Sequence, residues 1–172
     1  METAWLNGLE HPEEICALFG EYTDYLVAGD AVFASYLELQ RFDEELLHLE
    51  EKYGPPEGCL YLLRVDGENA GCGGMRALDE GRCELKRMYI RPAFRGRGLG
   101  RMMARRIIAD ARAAGYKEML LDTLPFLTAA QALYRSLGFC EIERYNDSPM
   151  AGASYLCLDL CAGKEAQKGA EY

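Results

Sequence analysis

Apolar positions in the first third of the chain recur at helical intervals. From Pro12 onward, Ile15, Leu18, Phe19, Tyr22, Tyr25 and Leu26 fall three and four apart, which predicts a helix ended by Gly29-Asp30. Phe42, Leu46, Leu47 and Leu49 predict a second helical stretch, stopped by Gly54-Pro55-Pro56. The rhythm then changes. Cys59 to Val65 is a short run of strand formers, Asp66-Gly67 is a hairpin signal, and Asn69 to Leu78 is the return strand. A further turn at Asp79-Glu80-Gly81 leads into Cys83 to Ile90, so the middle of the chain reads as an antiparallel meander of about three strands. Leu99, Met102, Met103, Ile107, Ile108 and Ala111 restore a helical stripe that ends at Gly115. Lys117 to Thr123 is a strand, Phe126 to Leu137 a helix capped by Gly138, and Glu141 to Arg144 and Ser154 to Leu160 are closing strands.

This order predicts an α/β (α+β) layer structure with helices on both faces of one sheet. With 172 residues the chain suits one domain, 1–162, followed by a frayed tail at 163–172. No apolar run approaches the roughly 20 residues of a membrane span, and the start Met1-Glu2-Thr3-Ala4-Trp5 lacks the order of a secretory signal. A soluble, cytoplasmic protein is expected, with no membrane partner. The net charge of −9 disfavours nucleic acid and suits a cationic partner such as an amine, or serves solubility alone. Seven scattered cysteines form no CxxC pair, and His11 and His48 lie apart from them in sequence. Buried reduced thiols are therefore expected, and no metal.

The candidate chemistry lies at Arg95-Gly96-Arg97-Gly98-Leu99-Gly100, between a strand and a helix. Alternating glycines let the backbone bend tightly, and the helix that follows offers bare N–H groups and the positive end of its dipole. With Arg95, Arg97 and Arg101 nearby, this is an anion cradle suited to a pyrophosphate; the alternative is a glycine-rich turn with solvated arginines. A Walker loop would need Lys-Ser/Thr after the last glycine, where Arg101-Met102 stands. A dinucleotide fingerprint would need a parallel βαβ unit and a different glycine spacing.

The bend, together with Ala129-Ala130-Gln131-Ala132-Leu133-Tyr134-Arg135-Ser136-Leu137-Gly138-Phe139, resembles the two signature blocks of the GNAT superfamily of N-acetyltransferases. The likeness spans about Gly71 to Leu160. It implies a mixed, mostly antiparallel central sheet, a cofactor-binding core at 57–162 and a variable helical acceptor-site region at 1–56. It implies acetyl-CoA as co-substrate. Its pantetheine arm would lie along Met88, Tyr89 and Ile90, and its pyrophosphate on the amides of Arg95, Gly96, Arg97, Gly98, Leu99, Gly100 and Arg101. The thioester would enter where that strand splays from Leu120 to Thr123.

Tyr134 matches the family tyrosine that faces the leaving thiolate, and a phenol of pKa about 10 can donate to a sulfur anion whose acid is near 8.5. Glu84 stands where some members carry a catalytic carboxylate; it could equally pair with Lys86 or Arg87. Asp122 and Tyr145, with Asn146 and Asp147 behind them, are candidates for holding the acceptor. One departure is Leu127, at a position where many members place a cofactor-contacting asparagine. The activity implied is direct acetyl transfer to a primary amine, small or peptidic, in a ternary complex. A non-catalytic acyl-CoA sensor or interaction module is the alternative. An exposed strand edge near the C-terminus would offer a route to a homodimer.

Overall fold

A computed structural model describes residues 1–162, so the expected tail lies outside the described residues. In chain order the elements are β1 (Thr3–Asn7), α1 (Pro12–Gly29), α2 (Phe33–Leu39), α3 (Phe42–Leu47), α4 (Leu49–Tyr53), β2 (Cys59–Val65), β3 (Glu68–Ala77) and β4 (Arg82–Ile90). They continue as α5 (Leu99–Ala113), β5 (Glu118–Thr123), α6 (Thr128–Ser136), β6 (Cys140–Glu141) and β7 (Ser154–Asp159).

Asp66 and Gly67 both take positive φ, 50° and 87°, as a tight hairpin turn between β2 and β3 requires. The resulting meander is one strand longer than expected, because β1 pairs antiparallel with β2. The sheet has seven strands in the order β1-β2-β3-β4-β5-β7-β6, and its parallel step, β4 to β5, is bridged by α5. Every other neighbouring pair is antiparallel.

Alternation along the strands splits the core between the two faces. On one face Met75, Cys83, Leu85, Met119, Leu121 and Leu158 meet Leu99, Met103, Ile107 and Ala111 of α5. On the other, Leu60, Leu62 and Cys72 meet Ile15, Leu18 and Phe19 of α1. Full burial of each such Leu, Ile or Phe contributes about 1.5–3 kcal/mol. A smaller cluster of Leu26, Phe33, Tyr36, Leu124 and Met150 fastens α2 to the loops beside β5.

Four expectations need correction. The second helical stretch is two short helices, broken at His48, whose φ of −132° and ψ of 47° are not helical. Met102 points to solvent, 39% exposed, and Ala104 takes the inward position on α5. The strand expected at Glu141 to Arg144 pairs at Cys140–Glu141 instead. All seven cysteines are free thiols, but only Cys72 and Cys83 are buried, while Cys140 and Cys161 are exposed. No described helix is long and apolar enough to cross a membrane.

Candidate functional site

β4 and β5 pair only from Arg82 to Glu84 against Glu118 to Leu120. Beyond that the two strands diverge, so from Leu85 to Ile90 this edge of β4 has no strand beside it among the described residues. A β-bulge deepens the gap. Cys72 faces Tyr89 and Gly74 faces Lys86, which leaves Arg87 and Met88 opposite Gly73. Arg87 sits at φ 56°, an uncommon conformation for a residue with a Cβ, and a Cβ on Gly73 would come within 2.7 Å of the Met88 sulfur. Lys86 and Arg87 are thereby turned toward the helices α2 to α4, while Met88 faces the gap.

The glycine bend closes one end of the gap. Gly96 and Gly98 both take φ 76°, and a Cβ on either would meet nothing within 4 Å. Their requirement is therefore conformational, not a shortage of space. Gly98 is the N-cap of α5 and no side chain caps the helix. The first helical bond runs from Met102 N to Gly98 O, so the amides of Leu99, Gly100 and Arg101 precede it. The arginines do not fold into the bend. Arg95 donates to Ile90 O at 2.9 Å and lies over the Tyr25 ring, and Arg101 donates to Ser136 Oγ at 2.8 Å.

A cavity of about 480 Å³ runs from this bend into the gap. Met88, Tyr89, Ile90, Arg95, Gly96, Gly98, Leu99, Gly100, Arg101, Asp122 and Tyr134 line it. Arg97 does not; it donates to Ala93 O and lies over Phe94. Tyr22 and Tyr25 of α1, Thr123, Phe126 and Leu127 also line the cavity, and the sequence had marked none of them as a site residue for binding. Tyr22 and Tyr25 carried only the signal of a helical face. Leu127 brings an apolar wall where a polar contact would otherwise stand.

A second cavity, about 50 Å³, opens on the opposite side of the gap. Tyr22, Met88, Asp122, Thr123, Leu127 and Tyr134 border both spaces. Tyr134 is buried, and burial first, then Tyr22 and Asp122, push its phenol far above the ordinary range, so it remains a proton-bearing donor. The Thr123 hydroxyl is buried without a hydrogen-bond partner, between the two cavities. Asp122 Oδ2 accepts from Tyr36 at 2.7 Å and from Asn146 at 3.2 Å. Burial and the adjacent Asp122 raise the Tyr36 phenol, which likewise stays protonated.

Glu84 is buried and lines neither cavity. Its carboxylate meets Lys86 at 3.2 Å and Arg76 at 3.4 Å, and accepts from Tyr145 at 3.2 Å. Burial would raise its pKa, but Lys86 and Arg76 outweigh that and hold it below the ordinary carboxylate value. Of the two pairings open from the sequence, Lys86 forms and Arg87 does not. Arg87 instead donates to both oxygens of Glu45, at 2.9 and 2.8 Å. Tyr145 and Asn146 thus reach the site through Glu84 and Asp122, and neither lines a cavity.

Comparison with known proteins agrees with this geometry. Residues 18–139 match the model of the acetyltransferase (GNAT) family. An uncharacterized N-acetyltransferase of Schizosaccharomyces pombe is 38% identical over 130 residues, 74% of this chain and 80% of that protein. An acetyltransferase from Streptococcus agalactiae superposes with a TM-score of 0.74 at 18% identity, over 91% of this chain and 98% of that one. A GNAT family acetyltransferase from Elizabethkingia anophelis, solved with acetyl-CoA bound, gives a TM-score of 0.52 at 21% identity over 60% of this chain and 76% of its own. The chain belongs to the GNAT family of acetyltransferases.

Proposed function

We propose that the protein moves an acetyl group from acetyl-CoA directly to a primary amine, with both substrates bound at once. The observation that carries this reading is the gap between β4 and β5, which joins a large cavity ending in bare helix amides to a small cavity bordered by a carboxylate. Direct transfer needs such a layout, because donor and acceptor must meet from opposite sides without a covalent enzyme intermediate.

The residues present suit acetyl-CoA. The amides of Leu99, Gly100 and Arg101 and the α5 dipole, worth roughly half a positive charge, would hold the pyrophosphate. The free edge of β4 from Met88 to Ile90 would accompany the pantetheine, and acetyl-CoA itself would supply the activated thioester. Helices α1 to α4 and the loop with Tyr145 would shape the acceptor side.

On that side Asp122 takes the role of ammonium partner. It borders both cavities and its carboxylate is bonded by neutral donors, whereas Glu84 is held by two cations outside both spaces. An ammonium is a far weaker acid than a carboxylic acid, so a carboxylate partner holds the protonated amine and does not deprotonate it. Asp122 therefore attracts and orients the amine, and the proton leaves to solvent before attack. Tyr134 then donates to the sulfur as negative charge gathers there.

Isothermal titration with acetyl-CoA tests the donor half. The wild type binds; Gly98→Val, which forces a β-branched residue to φ 76°, abolishes binding. No binding at millimolar acetyl-CoA overturns the reading. Binding without CoA release across a broad amine panel makes the protein an acyl-CoA sensor instead.

A further inference from the structure

The small acceptor cavity is electrically divided. One wall is Asp122, bonded by the neutral donors Tyr36 and Asn146. From β4, across the gap from β5, Lys86 and Arg87, 9% and 5% exposed, line the same cavity. Their counter-charges are shared with other cations. Glu84 serves Lys86 and also Arg76, and Glu45 serves Arg87 and also Lys52. Behind this cationic wall two carboxylates are thus divided among four cations, of which Arg76 and Lys52 also reach solvent, and Arg87 donates further to Gln40 Oε1 at 3.1 Å. Buried charge is costly unless compensated, so the two cations that line the cavity, each sharing its anion, would be stabilised by a further anion. No ion pair among the described residues links Asp122 to any of these cations.

A simple amine complements Asp122 and leaves the cationic wall unanswered. A molecule carrying both an ammonium and a carboxylate answers both walls at once. We infer that the acceptor is a small free amino acid, its carboxylate against Lys86 and Arg87 and its amine against Asp122 at the gap. This rests on the acetyl-transfer reading and narrows it. The cavity size agrees, since about 50 Å³ offers roughly four water-sized positions at 10–15 Å³ each. A compact acceptor fits that space, and a folded protein surface does not enter it. In the step itself the nitrogen lone pair forms the C–N bond to the acetyl carbon, and the C–S electron pair leaves with sulfur. Of the three ammonium protons, one goes to solvent before attack, one replaces the proton that Tyr134 gives to sulfur, and one stays on the amide nitrogen.

The test measures CoA release with matched pairs, each amino acid beside its carboxamide: glycine and glycinamide, alanine and alaninamide, serine and serinamide, aspartate and its α-carboxamide. Rates are referred to the neutral-amine fraction of each. The best amino acid should exceed its carboxamide in kcat/KM by about tenfold or more, the worth of one charge-assisted contact. Lys86→Gln should bring that ratio close to one, and Lys86→Arg should keep it. Carboxamides matching or exceeding amino acids in every pair overturn the inference while leaving acetyl transfer intact. An unchanged ratio in Lys86→Gln overturns the assignment of the cationic wall. Release with no amine at all, despite acetyl-CoA binding, overturns the transfer reading on which the inference stands. Because the wild-type ratio is decisive on its own, a Lys86 variant that fails to fold does not spare the inference.

Discussion

At the scale of single residues, the chemistry turns on groups whose protonation the fold has fixed. Tyr134 is buried where the two cavities meet, with its phenol raised far from titration, so it can give a proton but not hold a charge at rest. Tyr134→Phe removes the donor and keeps the ring that packs edge-on against Phe139. Its expected effect is a fall in kcat of about 10²-fold, in line with the loss of one general acid, with acetyl-CoA affinity unchanged by titration. An unaltered kcat removes Tyr134 from the mechanism. Such residues were legible in the sequence because backbone and chemistry demand a particular type at a particular spacing: Gly96 and Gly98 for positive φ, Tyr134 within its block. The pairing of a charged residue was not. Lys86 lies two positions from Glu84 on one strand, but Arg76 reaches it from β3, and Tyr36 reaches Asp122 across 86 positions. The family resemblance placed Leu127 beside the cofactor and Thr123 along the gap, but nothing in the sequence showed that the Thr123 hydroxyl would be buried without a partner.

At the scale of elements, strong periodicity was legible and weak periodicity was not. The α1 face and the hairpin turns repeat clearly, and they form close to where the pattern put them. β1 has an irregular burial pattern, and α2 buries only Phe33 and Tyr36 in seven residues, so each is held by tertiary contacts its own sequence does not announce. The pair α3 and α4 is too short to persist alone and is anchored by one carboxylate. Glu45 accepts from Arg87, from Lys52 at 2.5 Å and from Tyr53 at 2.6 Å. Glu45→Gln leaves the Arg87 guanidinium buried without its anion, which should destabilise the protein by about 3–5 kcal/mol. Urea denaturation reads this against Glu44→Gln, an exposed neighbour expected to change little. A loss at Glu45 no larger than at Glu44 would show that the helices are held by packing alone.

At the scale of the whole molecule, two electrostatic effects compete as pH falls. With a net charge of −9 and a pI near 4.8, self-repulsion among surface carboxylates should relax on approach to the pI, which favours the folded state there. The buried carboxylates act in the opposite sense. Burial would raise Glu45 and Glu84, but Arg87 and Lys52 in the first case, and Lys86 and Arg76 in the second, hold both below the ordinary value. Unfolded, each titrates near about 4.3. Below that pH the unfolded chain takes up protons that the folded one refuses, so the stability these groups contribute is complete above it and declines as pH falls toward their folded pKa values. Each group can contribute a slope approaching about 1.4 kcal/mol per pH unit, whereas exposed pairs such as Arg82 with Asp79 are screened and contribute little. The buried pairs should therefore win below the unfolded carboxylate range. Urea midpoints should differ little between pH 7 and pH 5, then drop steeply from about pH 4.3 downward, with a shallower drop in Glu45→Gln. A midpoint that keeps rising through the pI and below it would mean that surface repulsion, and not the ion pairs beneath α3 and α4, governs the acid stability of the fold.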